Sequence, residues 1–387
     1  MVRTGLERLF DNLDSIRGKR LGVACNHTAV DPSLNHLLDR LAAAGAKVQR
    51  IFTPEHGLHA TAQDMISVDE SRPDVVSLYG STVDTLRPRP ETLADIDILL
   101  FDIQDIGSRY YTYQATLGFM MEVAATTGTR ILVLDRPNPI DGVTLEGNVV
   151  ESGFESFVGA FPLAVRHGMT MGELAYYFRD VVGIRCDVEV VRCEGWDRTS
   201  WYDDTGLPWV FPSPNMPTLD AASIYPGMCL IEGTNLSEGR GTTRPFHLVG
   251  APWLDAGEMQ RLCRLGAHDA GLQGVAFRAA CFEPRFQKFA GVPCNGIEIF
   301  VQDRHAMNAL LLGLVVLEAA LRAAPESFRW RTETYEFVNN PIAIDLLLGS
   351  REGRLALESK VPLGELCAQW DSGRGEWERA RKSCLIY

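Results

Sequence analysis

The chain has 387 residues, of which 46% are hydrophobic and 22% charged, as in ordinary globular proteins. Its formal net charge of −13 argues against nucleic acid as a partner, because phosphate binding needs a basic surface. No segment approaches the roughly 20 apolar residues of a membrane span, and residues 1–20 lack the apolar core of a signal peptide. Nine scattered cysteines without a CxxC pair are typical of reduced thiols. We therefore expect a cytoplasmic protein without membrane insertion, although a leader removed from the chain would leave no trace.

Short apolar runs alternate with helical patterns through the first half of the chain. The predicted strands span residues 21–25, 48–52, 75–79, 96–103, 131–134 and 187–191. The predicted helices span residues 5–17, 31–44, 91–95, 114–127 and 170–181. This alternation predicts βαβ units, and hence an α/β fold with a parallel sheet flanked by helices.

The pattern changes at about residue 246. A loop at 196–217 and a strand at 228–231 are predicted before that point, followed by strands at 275–283 and 296–302. Helices are predicted at 257–270 and 306–323, with several short helices between 342 and 381. We therefore predict an α/β domain over 1–245 and a smaller C-terminal α+β domain over 246–387.

A carboxylate and an imidazole follow the second predicted strand. Pro54 ends that strand, and Glu55 and His56 come directly after it on a Pro-Glu-His-Gly corner. Ligands of open α/β sheets bind beyond the carboxyl ends of the strands. Glu55 and His56 are therefore candidate catalytic residues, although an isolated pair of this kind is more often a charged turn.

Two later strands end in equally polar clusters, and three further motifs carry polar groups. The strand 96–103 continues into FDIQDIGSRYYTY, and the strand 131–134 into LDRPNP. RHGMT, PSPNMP and EGTNLSEGRGTT follow along the chain, with Thr170 and Glu173 forming a capping box. The candidates from these segments are Asp102, Gln104, Asp105, Arg109, Tyr110, Tyr111, Tyr113, Arg136, Asn138, Arg166, His167, Asn215, Glu232, Asn235 and Arg240.

Cofactor motifs are missing from these segments. The glycine-rich stretch after Glu232 lacks the GxxxxGK[ST] order, and GxGxxG does not follow the first strand. His56, His59 and Asp64 lie close in sequence, but their spacing is not HExxH. A GxSxG elbow is also absent. We expect no nucleotide cofactor and no metal.

In this order, TPEHG, FDIQDIGSRYYTY, LDRPNP, RHGMT, PSPNMP and EGTNLSEGRGTT resemble the exo-β-N-acetylmuramidases (NamZ-like). The resemblance spans roughly residues 20–250 and extends to PIAIDLLLGS near the C-terminus. It implies an enzyme that removes terminal N-acetylmuramic acid (MurNAc) from the non-reducing end of peptidoglycan fragments. It also implies that residues 1–245 are a Rossmann-like catalytic domain and that the smaller C-terminal domain is an auxiliary domain completing a cleft. One departure is His59, which stands where the family commonly has arginine. The lack of a visible leader fits recycling of fragments inside the cell.

Cleavage of a glycoside needs a proton donor and a group that stabilises positive charge at the anomeric carbon. Glu55 is the expected donor, with His56 orienting it or acting on water. The second carboxylate is Asp102, Asp105 or Glu232, unless the substrate's own acetamido group assists.

The lactyl carboxylate of MurNAc needs a cation. Arg109 or Arg136 is the first expectation, with Arg166 and Arg240 next, and an Arg109–Asp105 ion pair is the structural alternative for Arg109. Two other functions stay open: a non-catalytic muropeptide-binding protein, and a metal-dependent amidohydrolase that uses His56 and His59.

Overall fold

Eleven strands and eleven α-helices are present in the part of the chain that the structure, a computed structural model, describes: residues 1–63, 65–68 and 72–387. The strands are β1 (Arg20–Cys25), β2 (Lys47–Thr53), β3 (Val75–Ser77), β4 (Ile98–Asp102), β5 (Arg130–Leu134), β6 (Glu146–Val149), β7 (Ala164–Arg166), β8 (Val188–Val191), β9 (Leu248–Ala251), β10 (Val275–Phe282) and β11 (Cys294–Val301). The helices are α1 (Gly5–Leu9), α2 (Leu37–Ala43), α3 (Tyr113–Thr127), α4 (Met171–Tyr177), α5 (Leu219–Met228), α6 (Ala256–Ala270), α7 (Ala309–Ala323), α8 (Ala343–Leu348), α9 (Glu352–Glu358), α10 (Leu363–Gly373) and α11 (Gly375–Lys382).

Six of these strands form one parallel sheet in the order β3-β2-β1-β4-β5-β8. All five residues of β4 are buried, which explains the near-continuous apolar run in its sequence. In the register of β1 and β4, Cys25 lies opposite Asp102. The carboxyl ends of the central strands therefore meet at one edge, and the predicted Rossmann-like α/β fold is confirmed.

A second, antiparallel sheet has the order β10-β11-β9 and packs against α6, which also contacts α7. β6 and β7 form a separate antiparallel pair. The predicted α+β character of the C-terminal region is confirmed, and the domain limit at 245/246 stays a prediction. Among the described residues, no helix has the length and apolar character needed to cross a membrane.

Several local predictions were wrong. Residues 228–231 were predicted as a strand, but they belong to the end of α5 and a 3₁₀ turn at Cys229–Gly233. Gly227 allows α5 to approach α7 so closely that a Cβ there would lie 1.8 Å from the Ala309 carbonyl oxygen. A short apolar run does not distinguish a strand from a buried helix, and here helix–helix packing decides.

The helices predicted at 5–17 and 31–44 are shorter than expected. Asn12 interrupts the first, because its side chain accepts the Asp14 N–H and starts a separate 3₁₀ turn. The second helix begins later than predicted, because the Asp31 side chain accepts hydrogen bonds from the main-chain N–H groups of Ser33 and Asn35 and forms a turn there. The sequence also did not predict β6, β7 or β9, which have three or four residues each.

Candidate active site

The chain turns sharply after β2 at Pro54-Glu55-His56-Gly57. His56 and Gly57 have φ angles of 71° and 79°, in the left-handed region, which is unfavourable for a histidine. The Gly57 N–H donates to the Pro54 carbonyl at 3.0 Å and closes the turn. Glu55 and His56 are both buried by it, with 4% and 7% of their surface exposed. A titratable pair is thus fixed at the carboxyl edge of the parallel sheet.

Glu55 is poised to donate a proton near neutral pH. Burial raises its pKa to about 7, and the nearby Glu232 acts in the same direction. A hydrogen bond from the Thr112 hydroxyl to Glu55 Oε2, at 2.7 Å, and the Arg240 charge oppose this rise. Thr112 stands at the N-cap of α3 but makes no capping hydrogen bond, so its hydroxyl serves Glu55 instead.

His56 is neutral near pH 7. Burial, and then the positive charge of Arg240, lower its pKa to about 4. Its Nδ1 lies 2.9 Å from the Ala62 carbonyl oxygen, which can only accept, so Nδ1 carries the proton. Nε2 therefore has a free lone pair and can accept a hydrogen bond from water or a sugar hydroxyl.

A network of charged groups holds the second carboxylate of the site. Arg240 donates to Glu232 Oε1 at 2.5 Å, and the Tyr335 hydroxyl donates to Glu232 Oε2 at 2.7 Å. Arg240 also lies 3.3 Å from Glu238, which is paired with Lys288 at 3.1 Å. The two oxygens of Glu232 are therefore fixed in position beside a positive charge.

Glu55, His56, Glu232, Arg240 and Tyr335 line one cavity, which encloses about 450 Å³ when the part open to solvent is counted. The lining residues are Glu55, His56, Tyr110, Tyr111, Thr112, Tyr113, Val158, Ser213, Asn215, Met216, Tyr225, Glu232, Arg240, Phe246, Tyr335 and Glu336. The Tyr110 hydroxyl is buried without a hydrogen-bond partner in the described part of the chain, which suits it to a polar ligand.

Eight predicted site residues meet in this cavity: Glu55, His56, Tyr110, Tyr111, Tyr113, Asn215, Glu232 and Arg240. Sequence reasoning missed several others: Thr112, Ser213, Tyr225, Tyr335 and Glu336. Thr112 and Ser213 lie inside motifs that had been recognised, whereas Tyr335 and Glu336 lie in a stretch without a recognised motif. Glu336 adds a third buried carboxylate, which accepts a hydrogen bond from the Tyr79 hydroxyl at 3.2 Å.

Arg109 was expected either to bind the lactyl carboxylate or to pair with Asp105, and the structure places it elsewhere. Its guanidinium donates to the carbonyl oxygens of Asn148, Leu163 and Leu347 at 2.7–2.9 Å, and the residue is fully buried. It does not line the cavity. The ion pair with Asp105 is also absent from the described contacts: Asp105 Oδ2 accepts the Gly107 N–H instead. Arg109 ties together three distant segments of main chain.

The polar groups after β4 and β5 bind one another rather than the cavity. Asp102 pairs with Arg136 through contacts of 2.5 and 3.1 Å, and the pair is buried. Arg166 is likewise enclosed by Asp141 and Glu146, both at 2.9 Å. Asp102, Arg136 and Arg166 therefore lie outside this cavity, and the roles expected of them in catalysis and substrate binding stay predictions.

The remaining predicted site residues also lie outside the cavity. Gln104 donates to the Asp105 and Pro137 carbonyl oxygens, and Asn138 donates to the Met169 carbonyl oxygen. His167 Nδ1 accepts the Met169 N–H, and its Nε2 lies 3.8 Å from Asp105. Burial raises the pKa of Asp105 to about 7, without placing it in the cavity. The Asn235 side chain donates to the Ser327 carbonyl oxygen, and Asn235 lines a separate, more open groove.

The amidohydrolase alternative requires His56 and His59 to act together. His56 is buried in the cavity, whereas His59 is exposed and does not line it. Asp64, the third group considered for that site, lies outside the described residues. Within residues 1–63, 65–68 and 72–387, no three His, Cys, Asp or Glu side chains are grouped as metal ligands.

Comparison with known proteins covers nearly the whole chain. Residues 21–220 match the family model described as exo-beta-N-acetylmuramidase NamZ, N-terminal, and residues 223–387 match its C-terminal counterpart. Over 393 aligned positions, the chain is 40% identical to the peptidoglycan beta-N-acetylmuramidase NamZ of Bacillus subtilis (strain 168), spanning 100% of this chain and 91% of that protein.

Two crystal structures of DUF1343 family proteins from Bacteroides fragilis NCTC 9343 share the fold. They have TM-scores of 0.87 and 0.76 at 32% and 28% identity, and each comparison covers 100% of this chain and 99% of the other. A parallel α/β sheet with buried carboxylates at its carboxyl edge, together with these matches, defines a glycoside hydrolase. The chain belongs to the exo-β-N-acetylmuramidase NamZ family, and the predicted enzyme class is confirmed.

Proposed function

We propose that this enzyme removes terminal MurNAc from the non-reducing end of peptidoglycan-derived MurNAc–GlcNAc saccharides (GlcNAc, N-acetylglucosamine), with Glu55 as the general acid. The observation that carries the proposal is the position of Glu55: buried in the cavity, with a pKa of about 7. A carboxylic acid that keeps its proton near neutral pH can protonate the leaving glycosidic oxygen. Peptidoglycan is also the substrate after which the Bacillus subtilis relative is named.

Glu232 is our candidate for the group that stabilises the positive charge at the anomeric carbon. Arg240 and Tyr335 orient its two oxygens, so little rearrangement is needed as that charge develops. His56 offers an unprotonated Nε2 for a hydrogen bond to water or substrate. Its pKa of about 4 makes it a weak base, so we assign it positioning rather than the main proton transfer.

Arg240 is our candidate for recognition of the lactyl carboxylate. Of the four arginines considered from the sequence, it is the one that lines the cavity. Its pairing with Glu232 and Glu238 would let one guanidinium connect the substrate's carboxylate with a catalytic carboxylate. Tyr110, with its unpartnered hydroxyl, provides an aromatic surface and a hydrogen bond for the sugar. Phe246, Tyr335 and Glu336, from beyond residue 245, would complete the cleft as the predicted auxiliary domain.

The direct test is hydrolysis of the disaccharide MurNAc–GlcNAc by the purified enzyme, with GlcNAc–GlcNAc as the matched substrate without a lactyl group. We expect release of MurNAc and GlcNAc, a clear preference for the first substrate, and the same rate in EDTA. Arg240→Lys keeps a positive charge but loses the planar guanidinium, and it should reduce the preference. Binding of MurNAc–GlcNAc without its cleavage would instead support the muropeptide-binding alternative, and EDTA sensitivity would contradict the metal-free reaction.

The cellular role is a separate part of the proposal. We propose that the enzyme acts in the cytoplasm on fragments recovered from the cell wall. All nine cysteines are free thiols, and seven of them are buried, which suits a reducing compartment. Cell fractionation with an antibody to the natural protein tests this, and its presence mainly outside the cytoplasm would contradict it.

A further inference from the structure

A second, wider opening lies beside the catalytic cavity. It encloses about 1250 Å³, counting the part open to solvent, and Asn235, Lys288, Arg329, Trp330 and Arg331 are among its lining residues. We call it the basic groove. The catalytic cavity, with about 450 Å³, is much smaller. The basic groove thus offers room for more of a saccharide than the cavity itself.

Arg331 lines the basic groove and contacts Tyr335, which lines the cavity. The Arg331 guanidinium lies 5.0 Å from the centre of the Tyr335 ring, and the Tyr335 hydroxyl holds Glu232. Arg331 also contacts the Met65 sulfur at 3.4 Å, and the Met65 main chain makes a hydrogen bond to Glu55. One groove residue therefore contacts the two residues that hold the carboxylates proposed for catalysis.

The charge of the basic groove is opposite to that of the whole protein. Its lining contains Lys288, Arg329 and Arg331 but one carboxylate, Glu333, in a chain with a net charge of −13. Lys288 is already engaged by Glu238 and two carbonyl oxygens. The arginines are the groups that remain to attract an anion.

Arg329 is the more accessible of the two arginines. It is exposed, and its hydrogen bonds to the Phe328 and Glu326 carbonyl oxygens use two of its N–H groups. A guanidinium has five N–H donors, so Arg329 can still bind a carboxylate. Trp330, between the two arginines, is half-buried with its Nε1–H donated to Glu358, which leaves its ring as a fixed surface.

We propose that the basic groove binds a carboxylate on the muramoyl unit two sugars away from the cleaved bond, so that the enzyme prefers fragments with at least three sugars. This inference rests on the proposed function. When the terminal MurNAc occupies the cavity, the first sugar on the leaving side is GlcNAc, which has no charge. The next sugar is MurNAc, whose carboxylate is either its free lactyl group or, when a stem peptide converts that group to an amide, the carboxyl group of the peptide.

The test compares kcat/KM for MurNAc–GlcNAc–MurNAc with that for MurNAc–GlcNAc. Two more trisaccharides have the second lactyl group as a methyl amide or extended by a dipeptide with a free carboxyl group. We expect kcat/KM for the free-acid trisaccharide to be about threefold to tenfold higher than for the disaccharide, which is the gain expected of a partly exposed ion pair with hydrogen bonds. The methyl amide should lose this gain. If kcat/KM rises for the dipeptide trisaccharide and not for the free-acid trisaccharide, the basic groove still binds a carboxylate, and that carboxylate belongs to the stem peptide.

The variants are Arg329→Gln and Arg331→Gln, with Arg17→Gln as the matched control. Arg17 is exposed and precedes β1, at the opposite edge of the parallel sheet. The ratio of trisaccharide to disaccharide kcat/KM should fall towards one in the Arg329 variant and stay at the wild-type value in the control.

Failure of the proposed function and failure of the inference give different results. No MurNAc released from any substrate by the wild-type enzyme would contradict the proposed function itself. Release from the disaccharide, with a ratio near one for both the free-acid and the dipeptide trisaccharide, would overturn the inference alone. A wild-type ratio retained by both groove variants, each with a normal melting temperature, would also overturn it.

Discussion

Thr112→Val should shift the pH dependence of hydrolysis to higher pH. The Thr112 hydroxyl donates to Glu55 Oε2 at 2.7 Å and thereby stabilises the charged carboxylate. Valine has nearly the same shape but no hydroxyl, so the variant loses this stabilisation while the cavity keeps its volume. The charged form of Glu55 then becomes less favourable, and its pKa rises from about 7.

The size of the shift follows from the energy of the bond. A hydrogen bond to a charged group contributes about 1.5–3 kcal/mol, and 1.4 kcal/mol corresponds to about one pH unit. The general acid must be protonated in the free enzyme, so kcat/KM should fall as pH rises through about 7 in the wild type. In Thr112→Val this decline should begin about one to two pH units higher.

The assay is kcat/KM for MurNAc–GlcNAc between pH 5 and pH 9. Thr116→Val is the matched control, because Thr116 is also buried on α3, donates to the Thr112 carbonyl oxygen at 3.2 Å and does not line the cavity. The control should keep the wild-type profile. If Thr112→Val is folded and active but its decline stays at the wild-type pH, the ionisation that limits activity does not belong to Glu55.

Three further predictions concern stability and positioning. Glu55→Gln should be more stable than the wild type by about 3 kcal/mol at pH 8 and equally stable at pH 4. The reason is that the pKa of the Glu55 carboxyl is about 7 in the folded protein and 4.5 in the unfolded chain, so the wild type loses stability as pH rises between these values. Equal melting temperatures of the two proteins at both pH values would contradict this. Arg109→Leu should lower the free energy of unfolding in urea by about 3–5 kcal/mol, since three buried carbonyl oxygens lose their donor, whereas Arg17→Leu should change it little. Tyr335→Phe removes one donor to Glu232 and should lower kcat about tenfold with little effect on the melting temperature; an unchanged kcat would remove Tyr335 from the proposed site.

The local part of the site could be predicted from the sequence. Pro54 ends an apolar strand, and the sheet rule places the next side chains at its carboxyl edge, which is where Glu55 and His56 lie. The tyrosines after β4 follow the same logic. The capping box of Thr170 and Glu173 at α4 is confirmed for a similar reason, because it depends on residues three positions apart.

The long-range part could not be predicted. Arg109 is a charged residue in a polar motif, but its carbonyl partners lie 39, 54 and 238 positions away in sequence. Tyr335 lies 103 positions from Glu232, and nothing in the local sequence indicates that they meet. The sequence shows which side chains are polar, whereas tertiary packing decides whether a guanidinium faces a carbonyl or a ligand.

The central claim, that Glu55 protonates the leaving group, is tested most directly by varying that group in Glu55→Gln. The variant keeps the shape of the side chain, and its carbonyl oxygen can still accept from Thr112. For MurNAc–GlcNAc, whose leaving alcohol needs a proton, we predict that kcat/KM falls by about 10²–10⁴-fold. For 4-nitrophenyl β-MurNAc, whose leaving phenolate needs little protonation, the loss should be much smaller. An equal loss on both substrates, or near-normal activity on the disaccharide, would contradict the assignment of Glu55 as the general acid.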